Sequence, residues 1–272
     1  MQVPTVSTPS LAVRDAESLT TAERLIWTGQ KLDPGSPLYN MALSFDLRGD
    51  LNLDALTEAF RRLVEREPVL RTVFEEHGGN ATRIVKDELP IRLERLDWPE
   101  TDVDDAEVLE RLRTRTRVGM PLDGPLTDAC VVRRRPDRHI VYLNQHHLIT
   151  DAWSTGILYR RWADTYQEVA GLAAPVAQGP AFADHLARER ELRGTPQCAQ
   201  AIAHWNQTSE GFSSDLSLYG HRGRGSGRTA RVRVPLGATR SAALRALAAT
   251  APFRALTPQQ SRYHVFATVL LA

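Results

Sequence analysis

Gln145-His146-His147-Leu148-Ile149-Thr150-Asp151-Ala152-Trp153-Ser154 is the stretch on which the reading of this chain turns. Before it, His139 to His146 is strand-like. After it, Leu158, Trp162, Tyr166 and Val169 recur at i, i+4, i+8 and i+11 and predict a long helix from about Trp153. The ten residues therefore lie where a strand ends and a helix starts. Adjacent strand residues face opposite sides, so His146 and His147 cannot both line one cleft. One is expected to be hydrogen-bonded inside the fold, which leaves the other for a substrate. Asp151, at the turn into the helix, can accept backbone N–H bonds or pair with an arginine. Two opposed rings leave at most two convergent metal ligands, and no other local His/Cys/Asp cluster completes a site, so no metal is expected. Ser154 lacks the glycines of a nucleophile elbow and is expected to cap or pack.

Working outward, Thr20-Thr21-Ala22-Glu23 reads as a capping box before a helix to about Gln30. Asp33-Pro34-Gly35-Ser36-Pro37 is a turn or loop, and Met41–Leu47 a strand of weak alternation. Asn52 caps a second helix with Leu53, Leu56, Phe60, Leu63 and Val64 on one face, stopped by Pro68. Val69–His77 and Thr82–Lys86 form a hairpin about Gly78-Gly79-Asn80. A short strand, Ile91–Leu96, and a helix, Asp105–Arg117, follow. Two strands, Ala129–Arg134 and His139–His146, are joined at Arg135-Pro136-Asp137. Later helices are expected at 180–193, 196–208, 238–250 and 258–272, with a short strand at Val232–Val234 and a Gly/Arg/Ser loop from Tyr219 to Arg228.

The composition, with 42% apolar and 25% charged among 272 residues, is that of a globular protein with a real core. A net charge of +1 supplies no global field for nucleic acid or an anionic membrane. Residues 1–17 read as a loose tail without the apolar run of a signal peptide. No stretch is long enough to span a bilayer, and a cytoplasmic location is expected. Cys130 and Cys198 are expected as reduced thiols. Lys31 and Lys86 are the only lysines, a bias from which no function follows. The arginine runs, Arg111 to Arg117 and Arg133-Arg134-Arg135, are read by default as solvated surface, with contact to an acidic partner or a phosphate as the sharper idea. Val265, Phe266, Val269, Leu270 and Leu271 crowd the last eight residues, so the chain is expected to be part of something longer or to pair with another chain.

His146-His147-Leu148-Ile149-Thr150-Asp151-Ala152 resembles the His-His-x-x-x-Asp-Gly signature of condensation domains of nonribosomal peptide synthetases, within the chloramphenicol acetyltransferase-like superfamily. Thr21 to Trp27 is similar to the family's opening Ser-x-Ala-Gln-x-Arg-Leu-Trp helix. Arg66-Glu67-Pro68-Val69-Leu70-Arg71-Thr72-Val73-Phe74 looks like its Arg-His-Glu-x-Leu-Arg-Thr-x-Phe motif. Phe182-Ala183-Asp184-His185 weakly echoes a later Tyr-x-Asp-Phe. Four motifs fall in order over residues 20–190. Ala152 departs from the signature's glycine, at a cost of about 1 kcal/mol if the backbone there needs positive φ. Glu67 and Pro68 depart from the second motif, and the family's later Gly-x-Phe-Val-Asn-Thr segment is absent.

The resemblance implies an α/β fold: a chloramphenicol acetyltransferase-like two-layer sandwich, a mixed sheet flanked by helices, with a truncated second lobe. Residues 18–175 would be the N-terminal lobe, and 176–272 a connector and the incomplete start of the C-terminal lobe. It implies transfer of a carrier-bound acyl or peptidyl thioester to the amine of a carrier-bound acceptor. His147 would be the catalytic residue, as base or as orienting group. His146 would be structural. Asp151 would fix the loop through an ion pair, with Arg71, Arg66 or an arginine of the absent lobe as partner, and the backbone at Ala152 and Trp153 would lie near the acyl thioester. No metal and no directly bound cofactor are implied, since the substrates ride on phosphopantetheine. Donor and acceptor carrier proteins would be the partners, with an adenylation domain in the same synthetase. Epimerization and non-catalytic carrier recruitment are the alternatives within the same fold.

Overall fold

The computed structural model describes residues 14–175, 179, 182–210 and 234–250. The chain divides into two compact units, Met1–Ser214 and Asp215–Ala272. In the first unit the strands are β1 (Arg14–Ser18), β2 (Asn40–Arg48), β3 (Thr72–His77), β4 (Asn80–Val85), β5 (Leu93–Asp97), β6 (Thr127–Arg135) and β7 (Arg138–His146). Its helices are α1 (Thr21–Leu32), α2 (Leu53–Arg66), α3 (Asp105–Thr116), α4 (Ala152–Val169), α5 (Phe182–Arg193) and α6 (Pro196–Ser209). The first unit thus takes in α5 and α6, which fall in the 176–272 segment expected to be a connector and the incomplete start of a second lobe. In the second unit the described residues contain α7 (Gly237–Ala248). The expected strand at Val232–Val234, the loop from Tyr219 to Arg228, the last helix and the apolar end lie outside the described residues, apart from Val234, which is not in a strand.

A four-stranded mixed sheet, ordered β2-β7-β6-β5, organises the first unit; β5 runs parallel to β6 and the other pairs are antiparallel. Alternation splits β6 and β7 cleanly between two cores. Ala129, Val131, Val141 and Leu143 face α2 and α4, where they meet Leu56, Phe60, Leu63, Leu158 and Trp162. Cys130, Val132, Ile140 and Tyr142 face Val108 and Leu112 of α3. Both faces of the two central strands are therefore covered, which explains their nearly unbroken apolar runs. The indole N–H of Trp162 donates to the Leu56 carbonyl at 3.3 Å, tying α4 to α2.

Local signals set most boundaries. The Thr20 hydroxyl accepts from Glu23 N–H at 3.0 Å, and the Glu23 carboxylate accepts from Thr20 N–H at 2.8 Å, completing the expected capping box. Asn52 caps α2. Gly78 and Gly79 take φ of +59° and +79°, the left-handed pair that a two-residue hairpin requires. Pro68 ends α2 and starts a single 3-10 turn, Pro68–Arg71, so β3 begins at Thr72 rather than at Val69. The larger correction is at the N-terminus. Residues 14–17, expected within a loose tail, belong to β1, which pairs with β4 in a separate sheet ordered β1-β4-β3. A short edge strand whose partner lies some 65 residues away leaves little local periodicity to read.

Candidate active site

The turn after β7 is clamped from both sides. His146 N–H donates to the Leu126 carbonyl at 3.0 Å, and His147 N–H donates to the Tyr39 carbonyl at 2.8 Å. The two rings diverge as alternation requires. His146 is 1% exposed. Its Nδ1 accepts from Leu148 N–H at 3.1 Å, so Nδ1 is bare and Nε2 carries the proton, which it donates to Gln30 Oε1 at 3.1 Å. Burial, reinforced by the neighbouring His147, pushes its pKa down to about 4 and keeps the ring neutral. Gln30 in turn donates to the carbonyls of Asp33, Pro34 and Ser36, so the same contact ties the Pro/Gly turn to the histidine.

His147 is half-buried and lines a cavity of about 330 Å³, together with Val69, Ile149, Asp151, Ser154 and Phe182. Its Nδ1 is turned into the protein and makes no hydrogen bond among the described residues. Asp151 caps α4: its Oδ1 accepts from Ser154 N–H at 2.7 Å, and that bond holds the carboxyl below its ordinary range. Ser154 thus serves the cap, as expected.

The ion pair expected between Asp151 and Arg71 or Arg66 is not formed. Arg71 donates to the carbonyls of Val64, Glu65, Lys86 and Asp87, stitching the end of α2 to the segment after β4. Arg66 grips Glu168 through two bonds of 2.8 Å. Both guanidiniums satisfy nearer acceptors, and Asp151 uses backbone N–H donors instead. Arg66 lines a second cavity, of about 530 Å³, beside the first. Ala152 is the first residue of α4 and so has right-handed helical backbone, which alanine adopts without the strain that a left-handed glycine site would impose. Trp153 is 80% exposed, and neither it nor Ala152 lines the cavity at His147.

Several contacts of the site join residues that no motif pairs. Arg83 and Glu23 form a buried pair at 3.4 Å on the same cavity wall, and Glu67 pairs with Arg161 beside the second cavity. Gln30 was visible only as a polar residue at a helix end. The arginine runs largely follow the default reading: Arg111, Arg113, Arg115, Arg117, Arg133 and Arg135 each pair with a carboxylate. Arg134 departs from it, being 2% exposed and donating to the carbonyls of Trp98 and Val103. Both cysteines are free thiols. Among the described residues, no three His, Cys, Asp or Glu side chains gather as metal ligands, and no helix is long and apolar enough to cross a membrane.

A mixed sheet flanked by helices, ending in a strand-to-helix histidine turn above a cavity, defines the acyltransferase-like class that the resemblance implies. A family model described as Condensation domain matches residues 13–265. The chain belongs to the condensation domain family of nonribosomal peptide synthetases. It is 31% identical over 205 residues to one of the linear gramicidin synthase polypeptides of Brevibacillus parabrevis, covering 74% of this chain and 4% of that protein. It is 30% identical over 265 residues to phosphinothricin tripeptide synthetase PhsC of Streptomyces viridochromogenes, covering 93% of this chain and 24% of that protein. The fold matches the first condensation domain of the CDA synthetase with a TM-score of 0.65 at 23% identity, over 72% of this chain and 50% of that one. It matches the starter condensation domain of rhizomide synthetase with a TM-score of 0.67 at 21% identity, over 74% and 49%. The chain thus aligns with about half the length of these solved condensation domains.

Proposed function

We propose that this chain contributes to amide-bond formation between two carrier-bound substrates, with His147 as the catalytic residue. The amine of the acceptor attacks the thioester carbonyl of the donor. A C–N bond forms, the C–S bond breaks, and the proton lost by the nitrogen ends on the departing thiol. His147 hydrogen-bonds the attacking amine and receives its proton as a general base. Holding the amine against the carbonyl supplies a further part of the rate. His146, neutral and enclosed, fixes the turn; Asp151 orders the start of α4. Donor and acceptor carrier proteins, each bearing its substrate on phosphopantetheine, are the partners, and an adenylation domain of the same cytoplasmic synthetase loads them. No metal and no directly bound cofactor enter the reaction.

The observation that carries this reading is His147 on the wall of a cavity of about 330 Å³, next to a histidine that is sealed away. The test is a transfer assay in the parent synthetase, with loaded donor and acceptor carriers, followed by intact-protein mass spectrometry. The amide product is expected on the acceptor carrier, and His147→Ala is expected to abolish it without changing carrier loading. Undiminished transfer by that variant would remove His147 from the chemistry.

A further inference from the structure

α5 brings a second imidazole to the reaction cavity. His185 lines the cavity of about 330 Å³ beside His147 and also the neighbouring one of about 530 Å³; Val69, Ile149, Ser154 and Phe182 are shared by both. His185 thus belongs to the walls of both cavities. It is braced from behind. The Phe182 ring lies 5.4 Å from it, the guanidinium of Arg83 lies 4.6 Å from Phe182, and Arg83 is paired with buried Glu23. This row runs from α1 across β4 to the cavity wall. Position 185 is also where the family-like Phe182-Ala183-Asp184-His185 departs from Tyr-x-Asp-Phe. An imidazole there adds a donor and an acceptor where a phenyl ring offers only an apolar face.

Three arginines and two carboxylates line the second cavity. Arg188, three residues on from His185 and therefore on the same helix face, lines it as well. Arg66 and Arg161 complete the cationic side, against Glu67 and Asp184. Arg161 is matched by Glu67 and Arg66 by Glu168, which it shares with Arg62, itself paired with Glu58; Arg188 is the cation of this wall that those carboxylates do not engage. Asp184 is the acidic group that the wall sets against Arg188 and His185, and Glu189 is engaged with the N–H and hydroxyl of Thr21.

We propose that His185, with Arg188, is a specificity-determining residue that favours a substrate whose side chain ends in a carboxylate, laid from the centre at His147 into the second cavity. The proposal rests on the reading above for the position of the reacting centre. A phosphate oxyanion on a carrier arm would meet the same donors, so the test must separate the two. Aspartyl- and asparaginyl-N-acetylcysteamine, which lack a phosphate, are titrated calorimetrically into the 272-residue chain. The aspartyl probe is expected to bind at least tenfold more tightly. His185→Phe, which restores the ring of the motif, and Arg188→Gln are each expected to cut that ratio at least threefold. Equal affinities, no binding of either probe, or a ratio untouched by His185→Phe and Arg188→Gln would overturn the proposal. So would an effect seen only when the probes carry a phosphopantetheine arm and equal for the two side chains, because the oxyanion would then be the phosphate. An intact aspartyl preference alongside a His147→Ala variant that still transfers would count against the catalytic reading alone.

Discussion

At the end of β7 one imidazole is enclosed by protein, and a single residue later another stands on a cavity wall. His146 has both nitrogens engaged, one by the Leu148 N–H and one by Gln30. His147 has its backbone clamped by Tyr39 and its ring on the cavity. The side chains are identical, so residue type does not divide the labour. The division comes from strand alternation, which sends adjacent rings to opposite sides, and from the partners waiting on each side. A buried neutral ring with two fixed hydrogen bonds is a structural tie. A ring on an open wall remains able to exchange a proton with something that enters.

The sharpest way to break this contrast is to remove each ring in turn. His147→Ala is expected to lower the transfer rate by about 10²- to 10⁴-fold, the usual worth of a positioned acid–base group. Its unfolding free energy should change by no more than about 0.5 kcal/mol. Chemical denaturation of the same samples used for the rate assay checks both halves.

The next effect is on acid stability. The His146 ring resists protonation to about pH 4 in the folded chain, while in the unfolded chain it takes up a proton near its ordinary value of 6.5. Between these values the unfolded state holds more protons. Stability is therefore full above about pH 6.5 and falls as the pH drops toward 4, by as much as ~3 kcal/mol. Urea unfolding across that window should show the slope in the native sequence and a smaller slope in His146→Gln, the remainder coming from buried His139 and the arginine-paired carboxylates. A slope unchanged by the substitution would mean that His146 is not the enclosed titrating group.

A smaller loss follows from cutting the tie at its other end. Gln30→Leu strands the His146 Nε2–H and removes the donor to three turn carbonyls, at an expected cost of about 1–3 kcal/mol in unfolding free energy. Smallest is the cap. Asp151→Ala is expected to cost about 1 kcal/mol, and Asp151→Asn only a few tenths, since asparagine also accepts from the Ser154 N–H. If both cost the same in thermal unfolding, the carboxylate charge matters rather than the cap, and an ion pair would have to be sought again.

Much of this architecture was legible because its signals are local. The capping box at Thr20–Glu23, the Asn52 cap, the Gly78-Gly79 turn and the stripe of Leu158, Trp162, Tyr166 and Val169 each lie within one element or turn. The sequence likewise showed that His146 and His147 must diverge, although composition and spacing did not say which faced inward. Contacts between distant segments were not legible. Gln30 meets His146 across 116 residues, and Arg83 meets Glu23 across 60. No periodicity reports such pairs. Neither of the two partners offered for Asp151 within this chain pairs with it, for the same reason: Arg66 and Arg71 were close in motif order, but Glu168 and four carbonyls engage them in space. Arg134 shows the converse error, since a charge run read as solvated contains a member whose guanidinium is held by interior carbonyls.

The difference in access between the two rings can be read without any assay of turnover. The folded chain is treated with diethyl pyrocarbonate near neutral pH, and the modified histidines are located by peptide mass spectrometry. Carbethoxylation is expected at His147 while His146 stays unmodified until denaturant is added. Modification of His146 as fast as His147, or of His146 alone, would contradict the division of roles proposed for this turn.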